Sequence, residues 1–394
     1  MRVGNTIYLD HQATTPTDRR VLEQMMPFFA DAFGNPHSAD HILGWNAAQA
    51  IEAAASNVAA LIGADSDEIV FTSGATEANN LALLGLAQSA VNGKRNRILV
   101  SATEHKSVLA TAREIQRRLG FTVELLPVDV EGALSLKALK DKLSDDVLLV
   151  SIALINNEIG TISDITIIHE LLTEFGAVFH CDCAQAPGVV DLKMLSEHVD
   201  MASLSGHKMY GPKGIGALFV RHSLQDRLHP IIHGGGQQRY LRSGTLPTPL
   251  CVGMGAAAEI ARSTVAEVTP VLRRRRDRLV NGLGRLRWRT ALNGPDLANR
   301  HPGNANVRFD GFSASDILAA LQPKLAASTG SACTSGIPEP SHVLRAIGLS
   351  AAQAEASIRF SVGRQTTDQD IEDAIDLIDR ALSKLVSGGM EVAV

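Results

Sequence analysis

The sequence has few cysteines, no long apolar run and no strong excess of charge of one sign. Its four cysteines lie at irregular positions and do not form a disulfide framework, which favours a reducing compartment. A net charge of -5 gives no general reason to expect nucleic-acid binding. No apolar run approaches the length of a membrane span, and the first residues lack a signal-peptide pattern. We therefore expect a cytoplasmic protein that contacts neither a membrane nor nucleic acid directly.

What the sequence does contain is an alternation of strand-like and helix-like segments from residue 68 to residue 220. Alternation at this spacing predicts a mostly parallel sheet with helices on both faces, an α/β fold. A long helical stretch from Gly253 to about Leu286 then leads to a second, smaller domain. A basic run within it, Arg273–Arg276, is interpreted as a solvated face.

Lys208 lies four residues after the buried strand predicted over Val199–Leu204, where the chain should enter a loop. The next segment, Gly214–Val220, is predicted to return as a neighbouring strand. Partial burial lowers the pKa of a lysine and frees its amine to form an imine with an aldehyde. The alternative is a solvated lysine in a hairpin.

Two further segments place polar groups at predicted strand ends. The stretch Thr72–Asn79 combines a strand end, a glycine turn and a helix start, so Ala75 and Thr76 are candidates for binding a phosphate. The alternative is a helix whose N-terminus is capped by Ser73 or Thr76. Asp182 follows the strand over Val178–Cys181, where it is either a ligand for a pyridinium nitrogen or the cap of the next turn.

The remaining candidates also follow predicted strands or lie in a polar loop. His105 follows the predicted strand Arg97–Ser101 and could stack on a cofactor ring or be a loop histidine, and Asn156 follows the predicted strand Val147–Leu154 in the same way. The spacing of Cys181 and Cys183 fits no metal site, so both are predicted to be small buried thiols. Cys333 lies among small polar residues, a setting that favours a reactive nucleophile over a buried structural cysteine. We expect the strand-end groups and Lys208 to converge on one crevice.

These motifs resemble the cysteine desulfurases of the NifS and IscS kind, which are class V aminotransferases of pyridoxal-phosphate fold type I. The resemblance rests on ordered segments across about 350 residues: Tyr8–Asp10, Ala13–Pro16, Gly34–Pro36, Thr72–Asn79, Thr103–Lys106, Asn156–Gly160, Asp182, Gln185, Ser205–Lys208, Gly234–Gln237, Leu241–Pro247, Ser331–Ser335 and Arg359–Arg364. It implies a large domain over 16–260. It also implies a smaller α+β domain formed by 1–15 and 261–394, which carries the loop with the catalytic cysteine.

The resemblance also implies roles for individual residues. Pyridoxal 5'-phosphate would be attached to Lys208, with Asp182 at the pyridine nitrogen and Gln185 at the phenolic oxygen. His105 would stack on the ring and act as a catalytic residue by moving protons. The phosphate would be held by Ala75, Thr76, Ser205 and His207, together with Thr245 from the partner subunit of a homodimer. Arg359, assisted by Asn156, would bind the substrate carboxylate, and Arg364 is expected to be a structural ion-pair residue.

The implied reaction removes sulfur from L-cysteine, leaving L-alanine and a persulfide on Cys333. The sulfur would pass to an acceptor protein in iron–sulfur cluster assembly, tRNA thiolation or DNA phosphorothioation. A selenocysteine lyase or an aminotransferase of the same class is the alternative. A non-catalytic, partner-binding relative would have to lack Lys208, Asp182 or Cys333. Gln238 and Tyr240 depart from the usual Glu and Gly of the family, and His11 and Gln12 are also unusual.

Overall fold

The computed structural model describes residues 1–330 and 340–387. Their helices are arranged around three β-sheets. The strands are β1 (Arg2–Val3), β2 (Thr6–Tyr8), β3 (Ile69–Thr72), β4 (Arg97–Ser101), β5 (Thr122–Leu126), β6 (Val147–Ser151), β7 (Val178–Asp182), β8 (Met201–Ser205), β9 (Gly216–Val220), β10 (Thr290–Leu292), β11 (Asn304–Phe309), β12 (Leu325–Ala326) and β13 (Ser357–Ser361). The helices are α1 (Arg19–Met25), α2 (Pro27–Ala30), α3 (Ile42–Ile62), α4 (Ala75–Ser89), α5 (Lys106–Leu119), α6 (Leu136–Lys142), α7 (Ile165–Thr173), α8 (Leu195–His198), α9 (His222–Gln225), α10 (Thr248–Leu283), α11 (Ala314–Leu321), α12 (His342–Ala346), α13 (Ala351–Glu355) and α14 (Asp368–Ser387).

The largest sheet has seven strands in the order β3-β9-β8-β7-β6-β4-β5. Strands β5, β4, β6, β7 and β8 are parallel, while β9 runs antiparallel to both β8 and β3. This arrangement confirms the predicted mostly parallel sheet and the strand that returns after Lys208. The carboxyl ends of four central strands consequently meet at one edge.

Both faces of the large sheet are buried. In β4, Ile98 and Val100 belong to one apolar cluster, while Leu99 belongs to the cluster on the opposite face. Successive side chains of a strand point to opposite faces, so a strand covered by helices on both sides is apolar throughout. The central strands are therefore rigid supports for the residues that follow them.

The C-terminal part contains the antiparallel sheet β10-β11-β13 and a small sheet formed by β1, β2 and β12. The N-terminal strand is attached there because the Ile7 amide donates to the Lys324 carbonyl at 2.8 Å. Helix α10 contributes to both apolar cores: Ile260 packs with the large sheet and Leu272 with the C-terminal sheet. The boundaries at residues 15 and 260 stay predictions.

Pro27 lacks the amide hydrogen that a continuous helix requires, and it separates α1 from α2. One sequence expectation needs correction. The solvated-face interpretation of Arg273–Arg276 is wrong for Arg276, whose guanidinium is buried and donates to the carbonyl of Leu297 at 2.6 Å. Among the helices of the described residues, we find none with the length and apolar character needed to cross a bilayer.

Candidate active site

A cleft of about 750 Å³ opens at the edge where β4, β6, β7 and β8 end. It is lined by ten of the residues predicted from the sequence: Ala75, Thr76, His105, Asn156, Asp182, Gln185, Ser205, His207, Lys208 and Arg359. Thr245 is exposed and does not line the cleft of its own chain. Cys333 lies outside the described residues. The predicted convergence of strand-end groups on one crevice is confirmed.

Lys208 is partly buried at the base of this cleft, so the alternative of a solvated hairpin lysine is wrong. Its ammonium donates to the carbonyls of Gln12 at 2.5 Å and Ala13 at 2.8 Å. Burial is the main reason that the pKa of Lys208 falls to about 8, and the nearby Arg359 charge contributes to this lowering. A substantial fraction of this amine is therefore neutral near pH 8 and nucleophilic.

Asp182 is buried at the end of β7. One carboxylate oxygen accepts from the Asn79 side chain at 2.8 Å, and the other accepts from the Ala184 amide at 3.0 Å. The aspartate therefore caps the following turn, as the alternative interpretation holds, and also presents a fixed carboxylate to the cleft. Both sequence interpretations are compatible with this geometry.

The N-terminus of α4 faces the same cleft. Gly74 is the residue before its first turn, and no side chain caps the helix there, so the capped-helix alternative is wrong. The free amides and the positive end of the helix dipole are suited to an anion. The Thr76 and Ser205 side chains line the cleft beside them. This is a donor set that fits a phosphate group.

His207 also borders this anion site, and its Nδ1 lies 3.0 Å from the Thr14 hydroxyl. Burial is the main reason that the pKa of His207 falls to about 4, and the Lys208 and Lys213 charges contribute to this lowering. The ring is therefore neutral at physiological pH when no anion is bound. It can offer a hydrogen bond without adding charge.

His105 immediately precedes α5 and caps it. Its Nδ1 accepts from the Ser107 amide at 3.1 Å, so the proton of the neutral ring is on Nε2. Although the ring faces the open cleft, desolvation by the surrounding protein lowers its pKa. His105 therefore presents an N–H donor, and not a basic lone pair, to the cleft.

Arg359 lies on β13 and is buried against the cleft. One terminal nitrogen donates to Asp10 at 2.7 Å and to the Ser328 hydroxyl at 3.0 Å, and the other donates to the Asn157 carbonyl at 2.8 Å. Its Nε atom is buried without a partner among residues 1–330 and 340–387. A carboxylate in the cleft would have to compete with Asp10 for this guanidinium.

Arg364 has the structural role that the sequence predicts. Its guanidinium lies 3.8 Å from the centre of the Tyr210 ring and donates to Asp18 at 3.2 Å. Asn156 lines the cleft, but its side chain already bonds to three backbone groups, including the Glu158 amide at 2.9 Å and the Thr103 carbonyl at 2.9 Å. It therefore fixes the loop after β6.

Sequence reasoning missed several residues of the site. They are Asp10, Asn79, Glu104, Glu158 and His342. Four of them, all except His342, fall within the segments on which the family resemblance rests, so the sequence indicated that they lie near the site. Their contacts, however, involve segments that are distant in the chain. The prediction of buried thiols is confirmed, because Cys181 and Cys183 are both free and fully enclosed.

A buried amine beside an anion site and a fixed carboxylate is the arrangement that pyridoxal-phosphate-dependent enzymes use. The chain belongs to the aminotransferase class-V family, whose model matches residues 7–373. This family depends on pyridoxal phosphate.

Two kinds of relative support the same assignment. Cysteine desulfurase IscS of Rickettsia felis is 47% identical over 379 residues, covering 96% of this chain and 92% of the relative. A solved NifS-like protein superposes with a TM-score of 0.89 at 34% identity, covering 96% of this chain and all of the other. A structure described as SspA in complex with cysteine gives a TM-score of 0.79 at 37% identity, covering 92% and 100% of the two chains. The resemblance to cysteine desulfurases and the fold type I architecture are confirmed.

Proposed function

We propose that this chain is a cysteine desulfurase that converts L-cysteine into L-alanine and leaves a persulfide on Cys333. The observation that carries the proposal is the shared cleft of Lys208, Asp182 and Arg359 in a member of the class V family. The R. felis relative is named a cysteine desulfurase, and the SspA structure is described as a complex with cysteine. Both names agree with the chemistry that this cleft is suited to perform.

The residues of the cleft fit pyridoxal 5'-phosphate. Lys208 would hold it covalently, Asp182 would face the pyridine nitrogen, Gln185 the phenolic oxygen and His105 the ring. The uncapped amides of α4 at Ala75, with Thr76, Ser205 and His207, would bind the phosphate. When bound, the cofactor supplies an electron sink for bond changes at the substrate carbon atoms.

The protein groups then have separate tasks. Arg359 binds the substrate carboxylate, and the loop fixed by Asn156 lies beside it. Lys208, with a pKa near 8, removes the α-proton and returns it. The Cys333 thiolate attacks the substrate sulfur, so that an S–S bond forms as the Cβ–S bond breaks. Protonation of the remaining three-carbon unit gives alanine.

A homodimer is part of the proposal. The segment from residue 22 to residue 45 exposes large apolar side chains, among them Phe33 at 67%, Met26 at 60% and Trp45 at 55%. Several large apolar side chains exposed within one segment favour a protein–protein interface. Because Thr245 is exposed and lies outside its own cleft, it is available to complete the phosphate site of a partner.

The persulfide sulfur would pass to an acceptor protein. The three pathways implied by the sequence resemblance, iron–sulfur cluster assembly, tRNA thiolation and DNA phosphorothioation, all need such an acceptor.

The test compares wild type, Lys208→Ala and Cys333→Ala by visible absorbance and by alanine production from L-cysteine. Wild type should show a cofactor band and form alanine. Lys208→Ala should lose the band of the lysine-bound cofactor, because the attachment point is gone. Cys333→Ala should keep the band and lose alanine formation. Alanine release at the full rate by Cys333→Ala would rule out the persulfide route and favour a lyase or transaminase.

A further inference from the structure

The guanidinium of Arg359, which the proposed function assigns to the substrate carboxylate, is already paired with a carboxylate of this chain. The distance from its terminal nitrogen to Oδ1 of Asp10 is 2.7 Å, and both side chains line the cleft. The pair is largely shielded from solvent, with side-chain exposures of 4% for Arg359 and 16% for Asp10. A shielded ion pair is screened little by salt, so it influences which ligands the arginine can bind.

The terminal nitrogens of Arg359 have few hydrogens left for a ligand. The nitrogen that contacts Asp10 also donates to the Ser328 hydroxyl at 3.0 Å, so both of its hydrogens are used. The other terminal nitrogen donates to the Asn157 carbonyl at 2.8 Å. A carboxylate that binds both terminal nitrogens, a geometry that arginine favours, must therefore displace Asp10 or Ser328.

The backbone of Asp10 is held against β13. Asp10 forms an isolated β-bridge with Ser361, and its carbonyl accepts from the Tyr8 hydroxyl at 3.0 Å. The Ser328 hydroxyl donates at 3.0 Å to the same carboxylate oxygen that Arg359 contacts. Because the main chain is fixed, only the Asp10 side chain has to rotate for the carboxylate to leave the guanidinium.

Asp10 is also close enough to Lys208 to act on its charge. Burial lowers the pKa of Lys208 most and the Arg359 charge lowers it as well, whereas the charges of Asp10 and Asp182 oppose this lowering. In the proposed function, a substrate brings its amine to Lys208 and its carboxylate to Arg359. Asp10 therefore lies where both charged ends of a substrate have to arrive.

Displacement of Asp10 leaves a charge balance that only some ligands satisfy. A simple carboxylic acid that takes Arg359 leaves the Asp10 carboxylate without its partner and beside a second anion, which is costly in a shielded cleft. An α-amino acid carries an ammonium on the carbon next to its carboxylate. Its ammonium can bind the displaced Asp10 while its carboxylate binds Arg359, so that every charge keeps a partner.

We propose that Asp10 is a specificity residue that binds the ammonium of the incoming amino acid and rejects carboxylates that lack one. The inference rests on the proposed function, in which Arg359 binds the substrate carboxylate, and it adds the class of ligand that this site accepts. No covalent bond changes in this step. The ion pair between Asp10 and Arg359 is exchanged for one ion pair with each end of the ligand.

The test compares L-alanine with propionate, which has the same three-carbon chain and carboxylate but no ammonium. Isothermal titration calorimetry on the purified holoenzyme measures the dissociation constant of each ligand for wild type and Asp10→Asn. Asparagine keeps an oxygen that can accept from Arg359 and Ser328, and it removes the charge. We expect propionate to bind the variant roughly 10-fold more tightly than wild type, because a like-charge contact is removed, whereas L-alanine should bind no more tightly.

Asp18→Asn is the matched control, because Asp18 forms a comparable ion pair with Arg364 at 3.2 Å and neither residue lines the cleft. It should keep the wild-type ratio of the two dissociation constants. Asp10→Glu retains the charge and should keep the preference for L-alanine. If Asp10→Asn does not fold or loses the cofactor absorbance, Asp10→Ser takes its place.

Equal shifts for both ligands, or no shift for either, in a folded Asp10→Asn protein would overturn the proposal, because a merely structural role would affect both ligands alike. A wild type that prefers L-alanine to propionate but forms no alanine from L-cysteine would refute the desulfurase function alone. The ratio of dissociation constants would still test Asp10, so the two failures are distinguishable.

Discussion

At the scale of single residues, the chemistry depends on how Lys208 is held. Its amine lies against two backbone carbonyls of the N-terminal segment, at 2.5 and 2.8 Å. These carbonyls favour the charged amine, but desolvation is the larger influence and lowers the pKa to about 8. The N-terminal segment therefore orients the amine without making it permanently charged.

This pKa predicts a pH-dependent stability of the cofactor-free protein. The folded state holds Lys208 with a pKa of about 8, and an unfolded lysine has a pKa of about 10.4. Between these values the unfolded state binds the additional proton, so the free energy of unfolding should rise with pH, by at most about 1.4 kcal/mol per unit. Below pH 8 the stabilisation is absent because both states are protonated.

Chemical denaturation of cofactor-free wild type and Lys208→Met from pH 7 to pH 10.5 measures this effect. The difference between the two proteins isolates Lys208 from other groups that titrate in the range. Methionine has a similar length and no charge, so its profile should lack the rise. Parallel profiles would show that the lysine is not desolvated to the extent described.

At the scale of elements, the edge strand β3 is completed by a side chain. The Gln238 amide accepts from the Phe71 N–H at 2.6 Å and donates to the Phe71 carbonyl at 2.9 Å, which imitates a neighbouring strand. Gln238, Arg239 and Tyr240 have φ values of 50°, 56° and 65°, a left-handed run that is unfavourable for side-chain-bearing residues. The two amide bonds help to hold this turn against β3.

Gln238→Glu should therefore destabilise the protein near neutral pH. A carboxylate can still accept from the Phe71 amide, but it cannot donate to the Phe71 carbonyl and repels it. We expect a loss of roughly 1–3 kcal/mol in the free energy of unfolding. Chemical denaturation measures it, and protonation of the new carboxyl below about pH 4.3 should reduce the difference from wild type.

The neighbouring Gln237 provides the control. Its side-chain oxygen accepts from the Gly244 amide at 2.7 Å, and a glutamate can make the same bond. Gln237→Glu should consequently be close to neutral. Equal stability losses in both variants would mean that charge in this turn, and not the lost donor, is responsible.

The elements of the large sheet were predictable because their patterns are strong and local. Strands β3 to β9 all lie within the alternation predicted for residues 68–220, because their apolar runs of four or five residues are separated by helix-like segments. The two- and three-residue strands β1, β10 and β12 were not predicted, because so short a segment has no periodicity. Their pairing depends on tertiary contacts.

The residues of the site were likewise predictable only where a local sequence pattern indicated them. Lys208, Asp182 and the α4 N-terminus were found because each follows a predicted strand, and parallel strands bring such positions to one edge. The carbonyls of Gln12 and Ala13 and the side chain of His342 were not found. They reach the cleft from opposite ends of the chain, and no local pattern indicates that contact.

At the scale of the whole molecule, a complete phosphate site requires two chains if Thr245 acts on the partner. Co-expression of Lys208→Ala and Thr245→Val subunits with different tags tests this. In the mixed dimer, the Thr245→Val subunit would keep its own Lys208 and receive Thr245 from its partner. We therefore expect one of the two sites of the mixed dimer to retain the cofactor as a wild-type site does.

Cofactor absorbance after dialysis measures this retention in the purified mixed dimer. The Thr245→Val homodimer should lose the cofactor faster, because one hydroxyl donor is missing from the phosphate site. Mixed dimers that lose it as fast as that homodimer would show that Thr245 acts within its own chain or not at all.

Helix α10 has a consequence for how this protein can be divided. The helix has 36 residues, and its first part packs with the large sheet while its later part packs with the C-terminal sheet. A cut at residue 260 would sever it after its thirteenth residue and expose apolar surface on both fragments. The two parts are therefore not interchangeable modules. A chimaera between relatives should keep α10 intact and take both of its packing faces from one parent.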